Sequence, residues 1–227
     1  MTHPTYTPRG RTPRILDAFC CQGGASHGYA LAGFDVTGID ITPQPRYPYR
    51  FVQGDAVAFI REHGAEFDFI HASPPCQLYS RAHKIRGRNH PDLIAPTREA
   101  LEFAGRPWVI ENVEEALSEL RNPVTLCAAA FGMRTYRHRL FETSEGFALT
   151  SPDHGTHVAP LTKMGRPRRP GQFAHYVGNF SGVQDARDDL EVPWMNRDGI
   201  RECIPPAYTK HIGREVRAHL ASGAVTA

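Results

Sequence analysis

Short buried strand patterns alternate with helical patterns through the first two-thirds of the chain, and this alternation constrains the fold more than any other feature. The strand patterns are RILDAFC, DVTGIDI, RFVQGDA, FDFIHASPP and PWVIENV, with RHRLFET as a further one. The helical patterns between them are GGASHGYALAGF, VAFIREHGA and PTREALEFAG, the last opened by a proline and closed by a glycine. Strands that alternate with helices predict an α/β fold, with a mostly parallel sheet and helices on both faces.

The amino-acid composition and the periodicity of the sequence change at about residue 143. The following stretch is rich in glycine, proline, histidine and arginine and shows no long helical period, which predicts a small, irregular, loop-rich lobe. Regular structure returns in AYTKHIGREVRAHL, where the pattern predicts a helix from Tyr208 to Leu220. We therefore divide the chain into a disordered lead-in at 1–13, a main domain at 14–142, the lobe at 143–203, a helix at 204–220 that returns to the main domain, and a tail at 221–227.

The composition fits one domain, or one domain with a small appendage. The chain has 227 residues, of which 41% are hydrophobic, so it can bury a substantial core. It lacks a run of about 18 apolar residues, and its polar N-terminus lacks the apolar segment of a signal peptide. We therefore expect no membrane span. A net charge of +2 does not exclude nucleic acid as a partner, because local patches decide such binding.

Five cysteines are present, and their arrangement matches neither a disulfide framework nor a familiar zinc site. Their number is odd, neighbouring Cys20 and Cys21 cannot easily form a bond, and the spacings fit no zinc motif. This pattern predicts a reducing, cytoplasmic compartment and no bound metal. We also expect a monomer with at least one reactive thiol.

Polar groups stand at the ends of the predicted strands, where an open parallel sheet binds its ligands. The first strand leads into DAFCCQGG, the second ends in Asp40, the third in Gly54 and Asp55, and the fifth in ENV, which begins at Glu111. Glycines at the first turn let a ligand approach the backbone, and Asp40 stands where a carboxylate commonly binds ribose hydroxyls. The fourth strand leads to Cys76. The sheet edge therefore offers an adenosine-sized site beside a thiol and a carboxylate.

Each of these features has a purely structural alternative when it is taken alone. The glycine-rich loop could be a simple turn, Asp40 a solvated strand end and Asp55 a helix cap. Cys76 could be an apolar filler of the core, and Glu111 with Asn112 could form a turn. Their order along the chain favours the functional interpretation.

Cys76 stands on a stiff turn, and a basic segment follows it. Pro74 and Pro75 precede it directly, and the segment LYSRAHKIRGRNH shows no strong helix or strand pattern. The basic residues of this segment are Arg81, Lys84, Arg86 and Arg88. The segment is either a solvated surface loop or a mobile loop that closes on phosphates, and its position beside the thiol favours the second.

Seven motifs, in this order, resemble those of the DNA (cytosine-5) methyltransferase family. LDAFCCQGG resembles the family's loop for S-adenosylmethionine, GID and GD its acidic strand ends, and SPPCQLYS its nucleophile loop, usually written PCQ-x-x-S. ENV resembles its catalytic carboxylate motif, RHRLF its Arg-x-Arg strand and AYTKHIG its final helix motif. Together they span roughly residues 14–220. The resemblance implies a Rossmann-like methyltransferase fold in a compact form, with S-adenosylmethionine as cofactor and double-stranded DNA as partner.

The resemblance also implies a mechanism. Cys76, as a thiolate, adds to carbon 6 of a cytosine flipped out of the duplex, so that carbon 5 becomes nucleophilic. Glu111 contacts N3 and the exocyclic amine, which requires a partly buried carboxyl with a raised pKa. Arg139 binds the O2 oxygen, where negative charge develops, and Arg137 orients Glu111 and the cysteine loop. Carbon 5 then accepts the methyl group of the cofactor.

The resemblance assigns the remaining site residues to the cofactor or to DNA. Those expected at the cofactor are Asp17, Phe19, Cys20, Cys21, Gly23, Gly24, Asp40, Ile41, Asp55, Ala56, Pro75, Arg214 and Glu215. Those expected at DNA are Gln77, Ser80, Arg81, Lys84, Arg86, Arg88, Lys163, Arg166, Arg168 and Arg169, with YVGNFSG as a second contact loop. The chain departs from the family pattern at Cys21 and Ala128, where glycine is common, and at Arg214 and Glu215, which replace Asn and Ser.

The lobe at 143–203 is smaller than the family's usual target-recognition region. A small lobe reaches few base edges, so we expect a recognition site of about two to four base pairs. Such a compact enzyme would suit a phage, a mobile element or a restriction–modification system.

Three other functions remain open at this point. The first is an RNA (tRNA) cytosine-5 methyltransferase of the same fold, which no local feature excludes. The second is a catalytically silent regulator that binds S-adenosylmethionine and DNA, although such a protein has no chemical need for Cys76, Glu111 and the two arginines. The third is a thiol hydrolase that pairs Cys76 with His71 or His83, which leaves the glycine loop and Asp40 unexplained.

Overall fold

The computed structural model describes residues 11–75 and 92–223. Within these ranges one seven-stranded sheet contains β1 (Arg14–Ala18), β2 (Asp35–Asp40), β3 (Arg50–Gln53), β4 (Phe69–Ala72), β5 (Trp108–Asn112), β6 (Val124–Leu126) and β7 (Arg139–Thr143). The strand order is β3-β2-β1-β4-β5-β7-β6. The first five pair in parallel, whereas β7 is antiparallel to both β5 and β6. The predicted mostly parallel sheet is confirmed, and the unpredicted β6 is a short edge strand.

Helices cover both faces of the sheet. In the described ranges they are α1 (Gly24–Leu31), α2 (Ala56–His63), α3 (Ile94–Ala104), α4 (Val183–Leu190), α5 (Arg197–Glu202) and α6 (Pro206–Ala221). Successive strand residues point to opposite faces, so Ile15 of β1 packs with α1 and α6, whereas Leu16 packs with α2 and α3. The predicted two-sided arrangement is confirmed. No helix in the part of the chain that the structure describes is long and apolar enough to cross a membrane.

Two glycines allow α1 and α6 to pack closely. A Cβ atom on Gly28 would collide with the carbonyl of Pro206 and the hydroxyl of Thr209. A Cβ atom on Gly213 would lie 2.7 Å from the Cβ atom of Ala32. The predicted helix at Tyr208–Leu220 is confirmed. The observed helix spans Pro206–Ala221, and it can begin two residues earlier because a proline fits the first turn of a helix.

The lobe is irregular in its first part and helical in its second. Residues 144–182 contain no helix or strand, and one isolated bridge joins Leu161 to Phe173. The unpredicted helices α4 and α5 follow, and they are short and mostly polar. The lobe has a small hydrophobic core, which includes Tyr176, Phe180 and Ile200.

Two ion pairs join distant segments of the chain. Arg98 of α3 donates two hydrogen bonds to the buried carboxylate of Glu142 in β7, at 2.6 and 2.7 Å. Arg11, which belongs to the predicted lead-in, donates to Asp68 at 2.8 and 3.0 Å. The last residues of the predicted lead-in therefore lie against the sheet.

Candidate active site at the carboxyl ends of the strands

A cavity of about 580 Å³ lies at the carboxyl ends of β1, β2, β4 and β5. Residues of α5 and the segment that follows it also line this cavity, so the lobe forms one of its walls. The lining residues that the sequence also singled out are Asp17, Phe19, Cys20, Cys21, Gly24, Asp40, Ile41, Pro75, Glu111 and Arg139. Residues expected at the cofactor and residues expected in catalysis thus share one space.

The loop after β1 has a strained backbone. Phe19 and Cys21 have φ angles of 62° and 45°, in the left-handed region that glycine adopts more readily. The N–H of Cys21 donates to Asp40 at 3.0 Å, which joins the loop to the end of β2. Cys21 therefore holds a backbone conformation that glycine adopts more readily, and its thiol contacts Glu202 of α5 at 3.5 Å.

Gly23 and Gly24 complete the turn into α1. Gly23 has a φ of 84°, and a Cβ atom on it would lie 2.9 Å from the ring of Tyr47. A Cβ atom on Gly24 would lie 2.6 Å from the carbonyl of Ile204. Both glycines are required by packing, and Gly24 also lines the cavity.

The two acidic strand ends have different environments. Asp40 accepts the N–H groups of Cys21 and Thr42 at 3.0 and 2.9 Å and borders the cavity. Each carboxylate oxygen keeps a second lone pair, so Asp40 can still accept a hydroxyl group. Asp55 instead caps α2 by accepting the N–H of Ala58 at 2.8 Å. Neither Asp55 nor Ala56 lines the cavity, so the structure shows the capping role for Asp55.

Asp17 is a fully buried carboxyl in the wall of the cavity. Ser26 donates its hydroxyl to Oδ2, while Oδ1 has no hydrogen-bond partner among the described residues. Burial, with added repulsion from Asp40 and Glu111, raises the pKa of Asp17 to about 7. An orphaned carboxyl oxygen and the nearby carboxylate of Asp40 fit a ligand with a cationic group and hydroxyls. S-adenosylmethionine, with its ammonium group and its ribose, meets this description.

Glu111 and Arg139 form an ion pair in the wall of the cavity. Glu111 lies in β5 and is 5% exposed, and the Nε atom of Arg139, at the start of β7, lies 3.0 Å from its Oε1 atom. Burial raises the pKa of Glu111, and the positive charges of Arg139 and Arg137 oppose this rise. The antiparallel pairing of β5 with β7 thus places an acid that can hold a proton beside a cation.

Arg137 is a buried arginine that contacts the lobe. Its guanidinium donates to the carbonyls of Arg201 at 2.6 Å and Tyr176 at 3.3 Å. Burial lowers the pKa of Arg137 to about 10. Two lobe carbonyls thus connect the lobe to the segment before β7, while the buried Nε atom of Arg137 has no hydrogen-bond partner among the described residues. The expectation that Arg137 orients Glu111 and the cysteine loop stays a prediction.

The segment predicted to lead into the nucleophile is described up to Pro75, which lines the cavity. The side-chain amide of Asn112 donates to the carbonyl of Pro74 at 3.0 Å and so joins this segment to the end of β5. The other residues expected in the loop lie outside the described residues: Cys76, Gln77, Ser80, Arg81, Lys84, Arg86 and Arg88.

Arg214 and Glu215 do not line the cavity, which corrects the expectation that they contact the cofactor. The helix α6 is continuous from Pro206, so both residues lie more than two turns into it, whereas Ile204, which does line the cavity, precedes its start. The carboxylate of Glu215 accepts the N–H of Thr150 at 3.0 Å and its hydroxyl. Glu215 therefore anchors the loop after β7.

The basic residues of KMGRPRR fall into two groups. Arg168 pairs with Asp189, which also accepts the hydroxyl of Tyr176, so Arg168 belongs to the internal structure of the lobe. Tyr176 and Phe180 of YVGNFSG are buried as well. The prediction of DNA contacts is corrected at these positions because their side chains pack inside the lobe. The exposed basic residues of the segment are Lys163, Arg166 and Arg169.

Sequence reasoning missed the residues that hold the lobe against the first loop. Gln22 donates its side-chain amide to Asn196 at 2.9 Å, and its carbonyl accepts the indole N–H of Trp194 at 2.7 Å. Cys203, after α5, lines the cavity. No periodic pattern marks VPWMNRDGI, so the sequence held no signal for this contact.

Comparison with known sequences gives one distant relative. The chain matches no protein-family model. It is 26% identical over 215 residues to the type II methylase M.HgiDII of Herpetosiphon aurantiacus. The match covers 89% of this chain and 52% of that protein, so the chain spans about half the length of this relative.

Comparison with solved structures supports the fold. The Entamoeba histolytica methyltransferase EhMeth matches over 93% of this chain and 98% of that chain, with a TM-score of 0.56 and 11% identity. The S. pombe Dnmt2 methyltransferase matches over 59% of this chain and 49% of that chain, with a TM-score of 0.43 and 18% identity. The first likeness, together with the sheet order, confirms the predicted Rossmann-like methyltransferase fold.

Proposed function

We propose that this chain transfers a methyl group from S-adenosylmethionine to carbon 5 of a cytosine in double-stranded DNA. The observation that carries the proposal is the Glu111–Arg139 ion pair, which shares a cavity with Asp17 and Pro75. Pro75 directly precedes Cys76 in the sequence. An acid and a cation therefore lie where the chain leads into a candidate nucleophile, beside a space with polar groups suited to the cofactor.

The cofactor would be held by residues of the first two strand ends. Asp40 would accept its ribose hydroxyls, Asp17 would face its ammonium group, and Phe19 would pack against its apolar surface. The bound cofactor supplies an electrophilic methyl group. The name of the relative M.HgiDII, a methylase, supports methyl transfer as the activity.

Carbon 5 of cytosine is a poor nucleophile, and we assign its activation to three side chains. The thiolate of Cys76 forms a bond to carbon 6, and the displaced electron pair moves into the ring. Arg139 stabilises the negative charge that develops on O2. Glu111, whose pKa is raised by burial, donates a proton or a hydrogen bond to N3.

The remaining steps restore the enzyme. Carbon 5 forms a bond to the methyl group as the bond between that methyl group and the sulfonium sulfur breaks, which would leave S-adenosylhomocysteine. Carbon 5 then loses its proton to a water molecule or another base, and N3 returns to Glu111 any proton that it received. The electron pair of that C–H bond re-forms the ring double bond, and the bond between carbon 6 and sulfur breaks. Cys76 leaves as a thiolate, ready for the next cytosine.

DNA binding is assigned to the basic loop that follows Cys76 and to the lobe at 143–203. The target base is stacked inside the duplex and must be flipped out, which costs a few kcal/mol. The exposed Lys163, Arg166 and Arg169 supply charge for the phosphate backbone. Because the lobe is small, we expect it to recognise about two to four base pairs.

A methyl-transfer assay tests the reaction. The full chain is incubated with methyl-labelled S-adenosylmethionine and either duplex DNA or tRNA, and the modified bases are separated after digestion. Labelled 5-methylcytosine from DNA with the wild type, and none with Cys76→Ala, is the expected result. Label in 5-methylcytosine of tRNA alone would support the RNA alternative. Label in N4-methylcytosine or N6-methyladenine would contradict the proposed chemistry.

A further inference from the structure

A cysteine and three histidines meet outside the cavity described above, at the edge of the sheet. Cys127 directly follows β6, His138 directly precedes β7, and His154 and His157 lie in the loop after β7. One candidate ligand atom from each residue lies within 4.8 Å of the others. The cluster therefore joins two strand ends to the first part of the lobe.

The distances in this cluster are close to those of a tetrahedral metal site. Zinc binds thiolate sulfur at about 2.3 Å and imidazole nitrogen at about 2.0–2.1 Å, so that its ligand atoms lie roughly 3.3–3.7 Å apart. The Sγ atom of Cys127 already lies 3.4 Å from Nε2 of His157. The remaining ligand atoms need to move inwards by only about 1 Å to complete the tetrahedron.

The surroundings of His138 and Cys127 support a ligand role. Nδ1 of His138 lies 3.1 Å from the carboxylate of Glu114, while its Nε2 atom is buried and has no hydrogen-bond partner in the described ranges. A carboxylate on one ring nitrogen and a free second nitrogen is the usual arrangement of a histidine that binds a metal. The buried Sγ atom of Cys127 lies 3.2 Å from the carbonyl of Tyr136 and faces the exposed His157, so the sulfur is positioned at the centre of the cluster.

The loop that carries the other two ligands is held in place by aromatic contacts. The ring of Tyr136 stacks on His157 with centroids 3.8 Å apart. The rings of His154 and His157 have centroids 4.8 Å apart, and those of His138 and His157 lie at 4.9 Å. These contacts hold the two exposed histidines close to Cys127 without the help of a metal ion.

We propose that Cys127, His138, His154 and His157 bind one zinc ion. Thiolate and imidazole ligands in a closed four-coordinate set are typical of structural zinc. His138 stands between Arg137 and Arg139 in the sequence, so the ion would fix the segment that carries both arginines against the lobe. This site departs from the expectation of no metal, because its ligands come together only through the fold. The proposal does not depend on the proposed methyl-transfer reaction.

Metal analysis of the full, untagged chain tests this proposal. The protein is loaded with zinc, dialysed against metal-free buffer and measured by plasma mass spectrometry. We expect about one zinc per chain in the wild type. The zinc content per chain should fall about tenfold or more in His157→Ala and in His154→Ala. Both side chains are exposed, so these variants should fold. His63→Ala, on α2, is the matched control and should keep its zinc.

Cobalt substitution checks the ligand set. The wild type loaded with Co²⁺ should show the visible bands of a tetrahedral site together with a sulfur-to-cobalt charge-transfer band, and Cys127→Ser should lose the latter. Absence of zinc in folded wild type, or equal zinc in wild type and His157→Ala, would overturn the proposal. Preferential retention of copper or iron would overturn the identity of the metal.

Discussion

Replacement of Asp17 by Asn should change the pH dependence of stability. Burial raises the pKa of Asp17 from 3.8 to about 7, a difference of about three units, and each unit corresponds to about 1.4 kcal/mol. Because the folded pKa is the higher one, the protonated carboxyl stabilises the folded state below pH 4. That stability is lost as the pH rises through 7. The full loss is about 4 kcal/mol, of which about 3 kcal/mol falls between pH 5 and pH 8.

Asp17→Asn keeps an oxygen that can accept the Ser26 hydroxyl but cannot ionise. The free energy of unfolding, measured with urea at several pH values, should therefore shift in favour of the variant by about 3 kcal/mol between pH 5 and pH 8. Asp35→Asn, at an exposed carboxyl at the start of β2, is the matched control and should show no such trend. A constant difference between Asp17→Asn and wild type over this range would refute the reasoning.

Three further sets of substitutions probe the site, the fold and the lobe. Glu111→Gln should lower the methyl-transfer rate at least about 100-fold, with cofactor affinity by calorimetry nearly unchanged. Gly28→Ala should lower the free energy of unfolding by about 1–3 kcal/mol because its Cβ atom collides with α6, whereas Leu31→Ala, on the same helix but half-exposed, should have a smaller effect. Arg166→Ala should weaken DNA binding and reduce its salt dependence by about one charge, whereas Arg168→Ala should mainly destabilise the lobe.

The sequence predicted β1–β5 and α1–α3 because the signals for these elements are local. Strand and helix periods, the proline in the first turn of α3 and the glycine after the helix are all visible in a short window, and Gly105 does adopt the left-handed φ of 61° that ends the helix. The acidic end of β2 followed from the geometry of parallel sheets, and Asp40 does border the cavity.

The misassigned residues depend on long-range contacts that a sequence window does not contain. The sequence suggested that Arg168 is available to bind DNA. In the structure its guanidinium forms an ion pair inside the lobe with Asp189, which no short window around Arg168 contains. Glu215 looked close to the cofactor because of its motif, but a continuous α6 carries it to Thr150. Sequence spacing alone likewise gave no sign that Cys127 would meet His157.

The central claim is covalent catalysis by Cys76, and trapping on a modified base tests it most directly. Duplex DNA that contains 5-fluorocytosine is mixed with the full chain and S-adenosylmethionine, since fluorine at carbon 5 cannot leave as a proton does. We predict a protein–DNA adduct that survives denaturation, is linked through the Cys76 peptide and is absent with Cys76→Ala. A wild type that binds S-adenosylmethionine but forms no adduct on any duplex would contradict the account.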